Sequence, residues 1–214
     1  MIEVRNVTLT LNQRRILDHI SLKLENGKIY GLVGNNGCGK TMLMKCICGF
    51  IKPDRGEVES DGKIIGKDVD YIPDTGIIIE TPGFISYYTG LQNLKVLAGI
   101  QRKISTEEIR DVMSRVGLDP DLKLSVKKYS LGMRQRLGIA QAIMENPSVL
   151  ILDEPMNGLD RNGVEDIRRL LIEQKKQNKL ILIASHNAED IQILCDEVYE
   201  MDSGKIIRTI KRER

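Results

Sequence analysis

Gly34-Asn35-Asn36-Gly37-Cys38-Gly39-Lys40-Thr41 sets glycines, a lysine and a hydroxyl in the spacing G-x-x-x-x-G-K-[ST]. Those residue types in that order suit a polyphosphate. Glycine reaches the positive φ angles that turn successive N–H groups inward around an anion, and a helix opening near Lys40 adds its positive end. Lys40 supplies a point charge at the β and γ phosphates, and the Thr41 hydroxyl a hard oxygen for Mg²⁺. The flanks agree, because the apolar run IYGLV precedes the loop and the helical pattern TMLMKCICGF begins inside it. ATP with Mg²⁺ is the implied ligand.

A second group of chemistry-bearing residues ends another apolar run. Val149-Leu150-Ile151-Leu152 leads into Asp153-Glu154-Pro155. In an open α/β sheet, ligands lie beyond the carboxyl ends of the strands, so both acids are expected to face the phosphates. Asp153 is placed to hold Mg²⁺, and Glu154, one residue on, to take a proton from the water that attacks the γ-phosphate.

The elements that must position these groups can be read from hydrophobic periodicity. Ile29 to Val33, Val149 to Leu152 and Leu180 to Ala184 are continuous apolar runs, the pattern of parallel strands covered on both faces. Ile2 to Leu11 and Ile20 to Leu24 alternate instead and predict strands with one wet face. Helical spacing runs from Met42 to Phe50, through Leu137, Ala140 and Met144, and through Val164, Ile167 and Leu171. Strands and helices alternating in this way predict βαβ crossovers around a parallel sheet. From Thr81 to Lys128 the signals are helical alone (Leu91 to Ile100, Thr106 to Val116). The expectation is one α/β unit, with residues 1–80 and 129–214 forming a nucleotide-binding core that carries an antiparallel β edge near the N-terminus, and residues 81–128 forming a helical lobe.

Composition narrows the classes. The 214 residues carry 32 Lys plus Arg against 30 Asp plus Glu, a net charge of +2 without a basic stripe, which argues against a nucleic-acid partner. The longest stretch free of Asp, Glu, Lys and Arg, Thr81 to Leu94, is shorter and more polar than the ~20 apolar residues of a membrane span. The basic end, Lys205 to Arg214, reads as a solvated terminus. Cys38, Cys46, Cys48 and Cys195 are unevenly spaced and follow no secretory leader, so they read as reduced thiols of a cytosolic protein. Cys46 and Cys48 point in nearly opposite directions on one helix, which makes them core residues rather than a metal pair. Cys38, at a helix mouth beside Lys40, is expected to be the reactive thiol unless its side chain turns into the fold.

The order of further motifs resembles the ATP-binding cassette family over essentially the whole chain, which implies a P-loop NTPase core. Tyr129-Ser130-Leu131-Gly132-Met133-Arg134-Gln135-Arg136 is similar to the family's L-S-G-G-Q signature, keeping Ser130 and the second glycine, Gly132. Asn157-Gly158-Leu159-Asp160 resembles the loop after the acidic pair, and Ala184-Ser185-His186 the switch histidine after the next strand. The resemblance implies that two cassettes pair head to tail, the phosphate loop of one and the signature of the other sandwiching each ATP, here as a homodimer. It gives His186 a bond to the γ-phosphate and Ser130 and Gly132 a place over the partner's nucleotide. Three positions depart from the pattern. Leu11 stands where many relatives stack an aromatic on adenine. Glu80, with Asp74 as the lesser alternative, stands where relatives carry a glutamine near Mg²⁺. Leu131 replaces the first signature glycine.

Ile79-Glu80-Thr81-Pro82-Gly83-Phe84 and the signature region together resemble the ATPase subunits of bacitracin and lantibiotic self-protection exporters. The resemblance implies an ATPase coupled to export of an antimicrobial peptide or drug, cytoplasmic and peripheral on the inner face of the membrane through a separate permease. Phe84, Tyr87 and Tyr88 either receive that permease or pack the helical lobe's own core. The alternative function is a soluble cassette ATPase of repair, translation or cofactor assembly.

Overall fold

The computed structural model describes residues 1–212; Glu213 and Arg214, the end of the basic terminus, lie outside the described residues. Two sheets organise the chain. One is antiparallel and lies toward the N-terminus, with strand order β2-β1-β4-β5 (β1 Ile2–Leu11, β2 Arg14–Leu24, β4 Arg55–Ser60, β5 Lys63–Ile64). The other has the order β10-β9-β3-β8-β7-β6, from β3 (Ile29–Val33), β6 (Thr75–Ile78), β7 (Val149–Asp153), β8 (Leu180–Ala184), β9 (Glu197–Asp202) and β10 (Lys205–Lys211). The four pairings from β6 to β9 are parallel, and β10 closes the edge antiparallel to β9.

The continuous apolar runs become the centre of the second sheet because both of its faces are covered. Leu150 and Leu152 of β7 and Ile181 and Ile183 of β8 enter the core under the helices α2 (Gly90–Gln101), α3 (Thr106–Arg115), α4 (Leu131–Ile143) and α5 (Arg161–Lys176). Their alternates Val149, Ile151, Leu180 and Leu182 enter a second core with β1, β2 and helix α1 (Lys40–Cys48). The period of two in side-chain direction thus splits each strand between two cores. Every buried Leu or Ile here stabilises the fold by about 1.5 to 3 kcal/mol. A short helix α6 (Ala188–Leu194) follows β8.

The basic terminus departs from expectation. Lys205–Lys211 is a strand, paired through Lys205–Asp202, Thr209–Tyr199 and Lys211–Glu197, and its charges line an exposed edge where like-charged lysines discourage further pairing.

Candidate active site

Helix starts show where an anion can sit. Thr89 and Ser105 close capping boxes on α2 and α3, and Ser130, Asp160 and Asn187 each accept a bond from the first turn of α4, α5 and α6. The exception is α1, whose cap is Gly39 and whose first N–H groups receive no side chain. Those orphan donors and the positive end of the helix dipole face the loop that precedes them. The loop itself is pinned against the rest of the fold. Gly34 has φ 148°, and a Cβ there would fall 2.2 Å from the Met201 carbonyl oxygen, so no side chain fits. The Cys38 carbonyl accepts from Gly204 N–H at 3.0 Å, tying the loop to the β9–β10 turn.

Lys40 is 7% exposed, and its ammonium donates to the loop's own carbonyls, Gly34 O at 2.7 Å and Asn35 O at 3.2 Å. Thr41 Oγ1 donates to Asp153 Oδ2 at 2.7 Å, so the α1 hydroxyl and the β7 carboxylate, far apart in sequence, form a pair of hard oxygens. That donor set fits Mg²⁺, which takes one or two protein oxygens and completes its shell from phosphates and water. These groups share a cavity of about 420 Å³ with Leu11, Ile16, Asn36, Gly37, Gly39, Met42 and Glu154. Leu11 and Ile16 give it an aliphatic wall.

Glu154 stands past the end of β7 with φ 50°, its N–H held by Ala184 O at 2.9 Å. Its Oε2 lies 2.8 Å from His186 Nδ1. A carboxylate only accepts, so Nδ1 carries the proton of this pair. The carboxyl end of β7 therefore delivers Asp153 to the Thr41 side of the cradle and Glu154 to the His186 side.

The remaining expected site residues are distributed as follows. Ser130 Oγ accepts from Met133 N–H at 3.1 Å, which leaves its O–H free to donate outward from the start of α4. Gly132 packs so closely on the loop after Pro155 that a Cβ would come within 2.8 Å of Gly158 O. Leu131 is 61% exposed and lies against Gly158. The Glu80 carboxylate accepts from Lys45 Nζ of α1 at 2.6 Å, through Oε1. Asp74 is removed from the site altogether, since it precedes β6 at the opposite end of the sheet and accepts from Ser148 N–H at 3.0 Å. Cys38 turns into the fold and is 5% exposed, so the loop does not present an accessible thiol. Phe84 packs against the helical core while Tyr87 stands exposed, edge to face on Tyr88 at 5.0 Å.

Sequence reasoning missed Ile16, Lys45 and Gln135. Gln135 Nε2 donates to Glu154 O at 3.2 Å and to Pro155 O at 3.0 Å. Position in the signature was its available signal, and that carries no information about which carbonyls it would meet.

A family model described as ABC transporter matches residues 17–157. Over 206 residues the chain is 44% identical to the uncharacterized ABC transporter ATP-binding protein YybJ of Bacillus subtilis, covering 96% of this chain and 94% of that protein. It is 38% identical over 215 residues to the bacitracin transport ATP-binding protein BcrA of Bacillus licheniformis, covering 98% of this chain and 69% of that protein. The dimeric post-hydrolysis cassette MJ0796 bound to ADP and Pi shares the fold with a TM-score of 0.90 across all of both chains, at 21% identity. With its phosphate loop, acidic pair and signature helix carried on that fold, the chain belongs to the ABC transporter family as an ATP-binding subunit.

Proposed function

We propose that this subunit hydrolyses ATP to drive a membrane exporter of antimicrobial peptides, as one half of a head-to-tail pair of cassettes. The observation that carries the reading is the pairing of Glu154 with His186 at 2.8 Å, beside the Thr41–Asp153 pair and over a helix start without a side-chain cap.

In this reading the loop N–H groups of residues 35–41 and the α1 dipole bind the β-phosphate, and Lys40 exchanges the Gly34 and Asn35 carbonyls for phosphate oxygens. Thr41 and Asp153 hold Mg²⁺, which when bound neutralises phosphate charge. Glu154 accepts the proton of the attacking water, a contribution of roughly 10² to 10⁴ in rate. His186 fixes the carboxylate by donating from Nδ1, and its imidazolium form donates from Nε2 to the γ-phosphate as well. Glu80, held through Oε1 by Lys45 at 2.6 Å, is the further carboxylate candidate for the metal. Ser130 and Gly132 serve the partner's nucleotide from the start of α4.

The permease seat is supported by the face between β6 and α2. There a groove of about 550 Å³ is lined by Leu97, Ile72 and Ile77, with Phe50, Tyr71 and Ile100 at 56%, 64% and 76% exposure. Among the described residues no helix is long and apolar enough to cross a membrane; in this reading the chain docks on a membrane permease from the inner face. The peptide cargo is supported by the likeness to BcrA, named for bacitracin transport.

Cells lacking the chain are expected to become more sensitive to bacitracin, with resistance restored by the wild type and not by Glu154→Gln. Purification of the tagged chain from membranes in mild detergent is expected to bring a polytopic partner. Unchanged sensitivity together with recovery of the chain alone overturns the reading.

A further inference from the structure

We infer that Gln135 is a positioning residue for ATP hydrolysis, holding the backbone of Glu154 in place from the signature helix. The inference rests on the reading of Glu154 as the general base.

Glu154 sits in a conformation that needs support. Its φ of 50° is in the left-handed region, which disfavours an ordinary side chain relative to a right-handed conformation. Such a conformation persists where its surroundings over-determine it. On one side the Glu154 N–H is held by β8 through Ala184 O, and on the other the Glu154 carbonyl accepts from Asn157 N–H at 3.1 Å within its own loop. A second rigid element also reaches this backbone: the Gln135 side-chain amide nitrogen of α4 spans Glu154 O and Pro155 O with its two hydrogens. Gln135 is half-buried in the second turn of a helix whose first turn already grips the same loop, Gly132 against Gly158 O and Leu131 over Gly158. The amide is therefore carried at a fixed distance from the loop by packing on either side of it.

The direction of the consequence follows. Among the described residues the side-chain hydrogen bonds of Gln135 go to Glu154 O and Pro155 O rather than to the phosphate loop, so the proposal gives it no hold on nucleotide affinity through Lys40 or Thr41. It acts on where the Glu154 carboxylate stands. A displacement of about 1 Å in a catalytic group costs on the order of a hundredfold in rate.

The test is a cycle on the full chain with its permease in vesicles, reading kcat and KM for ATP. Gln135→Met keeps the length and helix preference and removes the donor; Gln135→Lys keeps a donor. Gln135→Met is expected to lower kcat by roughly 10- to 100-fold with KM within about twofold of wild type, Gln135→Lys to retain most of the rate, and Gln135→Met placed on Glu154→Gln to add no further loss. Thermal unfolding of each variant is measured alongside, and a Met variant that does not fold leaves the Lys variant and its cycle with Glu154→Gln to decide. Unchanged kcat in Gln135→Met, a rise in KM equal to the loss in kcat/KM, equal losses by Lys and Met, or a full additive loss on Glu154→Gln each overturns the proposal while leaving the base assignment standing. Wild-type turnover in Glu154→Gln alone overturns the base assignment, and this proposal with it.

Discussion

At the scale of single residues, the site replaces contacts that the motif alone would lead one to expect. Leu11 is 39% exposed at the end of β1 and meets Ile16 on the wall of the cradle, so the surface offered to a base is aliphatic. Stacking on an aromatic face contributes about 1 to 3 kcal/mol per base where it exists. An aliphatic wall contributes area but does not read the edge of the ring, and the other cavity residues face the phosphates. ATP and GTP are therefore expected to bind within about tenfold of each other; competition with a fluorescent nucleotide measures the ratio, and a preference beyond a hundredfold refutes the argument. The same scale shows what a one-dimensional pattern conceals. Lys40, Thr41, Asp153 and Glu154 were legible because spacing and the strand before them dictate where they emerge. The partner of Glu80 was not, since Lys45 lies on another element and the 2.6 Å ion pair forms only when α1 and the end of β6 are brought side by side. Cys38 was legible as a residue at a helix mouth, but whether it faced the phosphates depended on the close approach of the loop to Met201, which turns its side chain inward.

At the scale of elements, continuous apolar runs announced β3, β7 and β8 because both faces of each are covered, and the helical stretches Leu91 to Ile100 and Thr106 to Val116 appear as α2 and α3. The strand β6 was hidden by its shortness. Thr75, Ile77 and Ile78 are β-branched, but Gly76, where a Cβ would strike Ala142 O at 1.8 Å because α4 packs closely on the sheet, interrupts the run and leaves only four residues to carry the signal. Helix α1 carries a consequence of its own burial. Cys46 and Cys48 are 1% and 0% exposed beneath the antiparallel sheet. Burial, helped by the charge of Asp54, pushes the Cys46 thiol from 9.0 up to about 11, and burial, helped by Cys46, pushes Cys48 up to about 12. Both folded values are raised, so the stability they contribute is present below about pH 9 and is lost as pH climbs through the window toward 11 and 12. Within that window the unfolded chain gives up protons that the folded chain keeps, each thiol costing up to about 1.4 kcal/mol per pH unit. Buried Tyr30 and Tyr199, also raised chiefly by burial, act in the same direction, while buried Lys179, lowered by burial, opposes it. Urea unfolding between pH 8 and 10.5 is expected to show falling stability for the wild type and a shallower fall for the variant carrying Cys46→Ala and Cys48→Ala; equal slopes would show that the thiols do not titrate on unfolding.

At the scale of the whole molecule, the proposed head-to-tail pairing assigns the cradle and the signature of one chain to different nucleotides. Lys40, Thr41, Asp153 and Glu154 line a cavity bounded by α1 and β7, and the residues lining that cavity include none from the start of α4. Ser130 keeps an unspent O–H there, and Leu131 is 61% exposed. A nucleotide held by one chain is thus left uncovered on the side that a second chain's α4 can close, with the positive end of that helix toward the γ-phosphate. In the proposed pairing the γ-phosphate supplies the negative charge that both helix starts attract, so the pair is expected to need it. Hydrolysis and loss of that phosphate remove the shared ligand, so a chain that binds ATP but cannot cleave it holds the pair together. Glu154→Gln keeps the shape of the side chain and a contact to His186 while it loses the base, and it is expected to slow hydrolysis by roughly 10² to 10⁴. Sedimentation velocity of that variant is expected to show a single species of 24.2 kDa without nucleotide or with ADP, and a species of twice that mass with ATP. The wild type, which consumes its ATP, is expected to return to the smaller species with time. A variant that stays monomeric at ATP concentrations well above its affinity would show that the exposed start of α4 does not close over a partner's nucleotide.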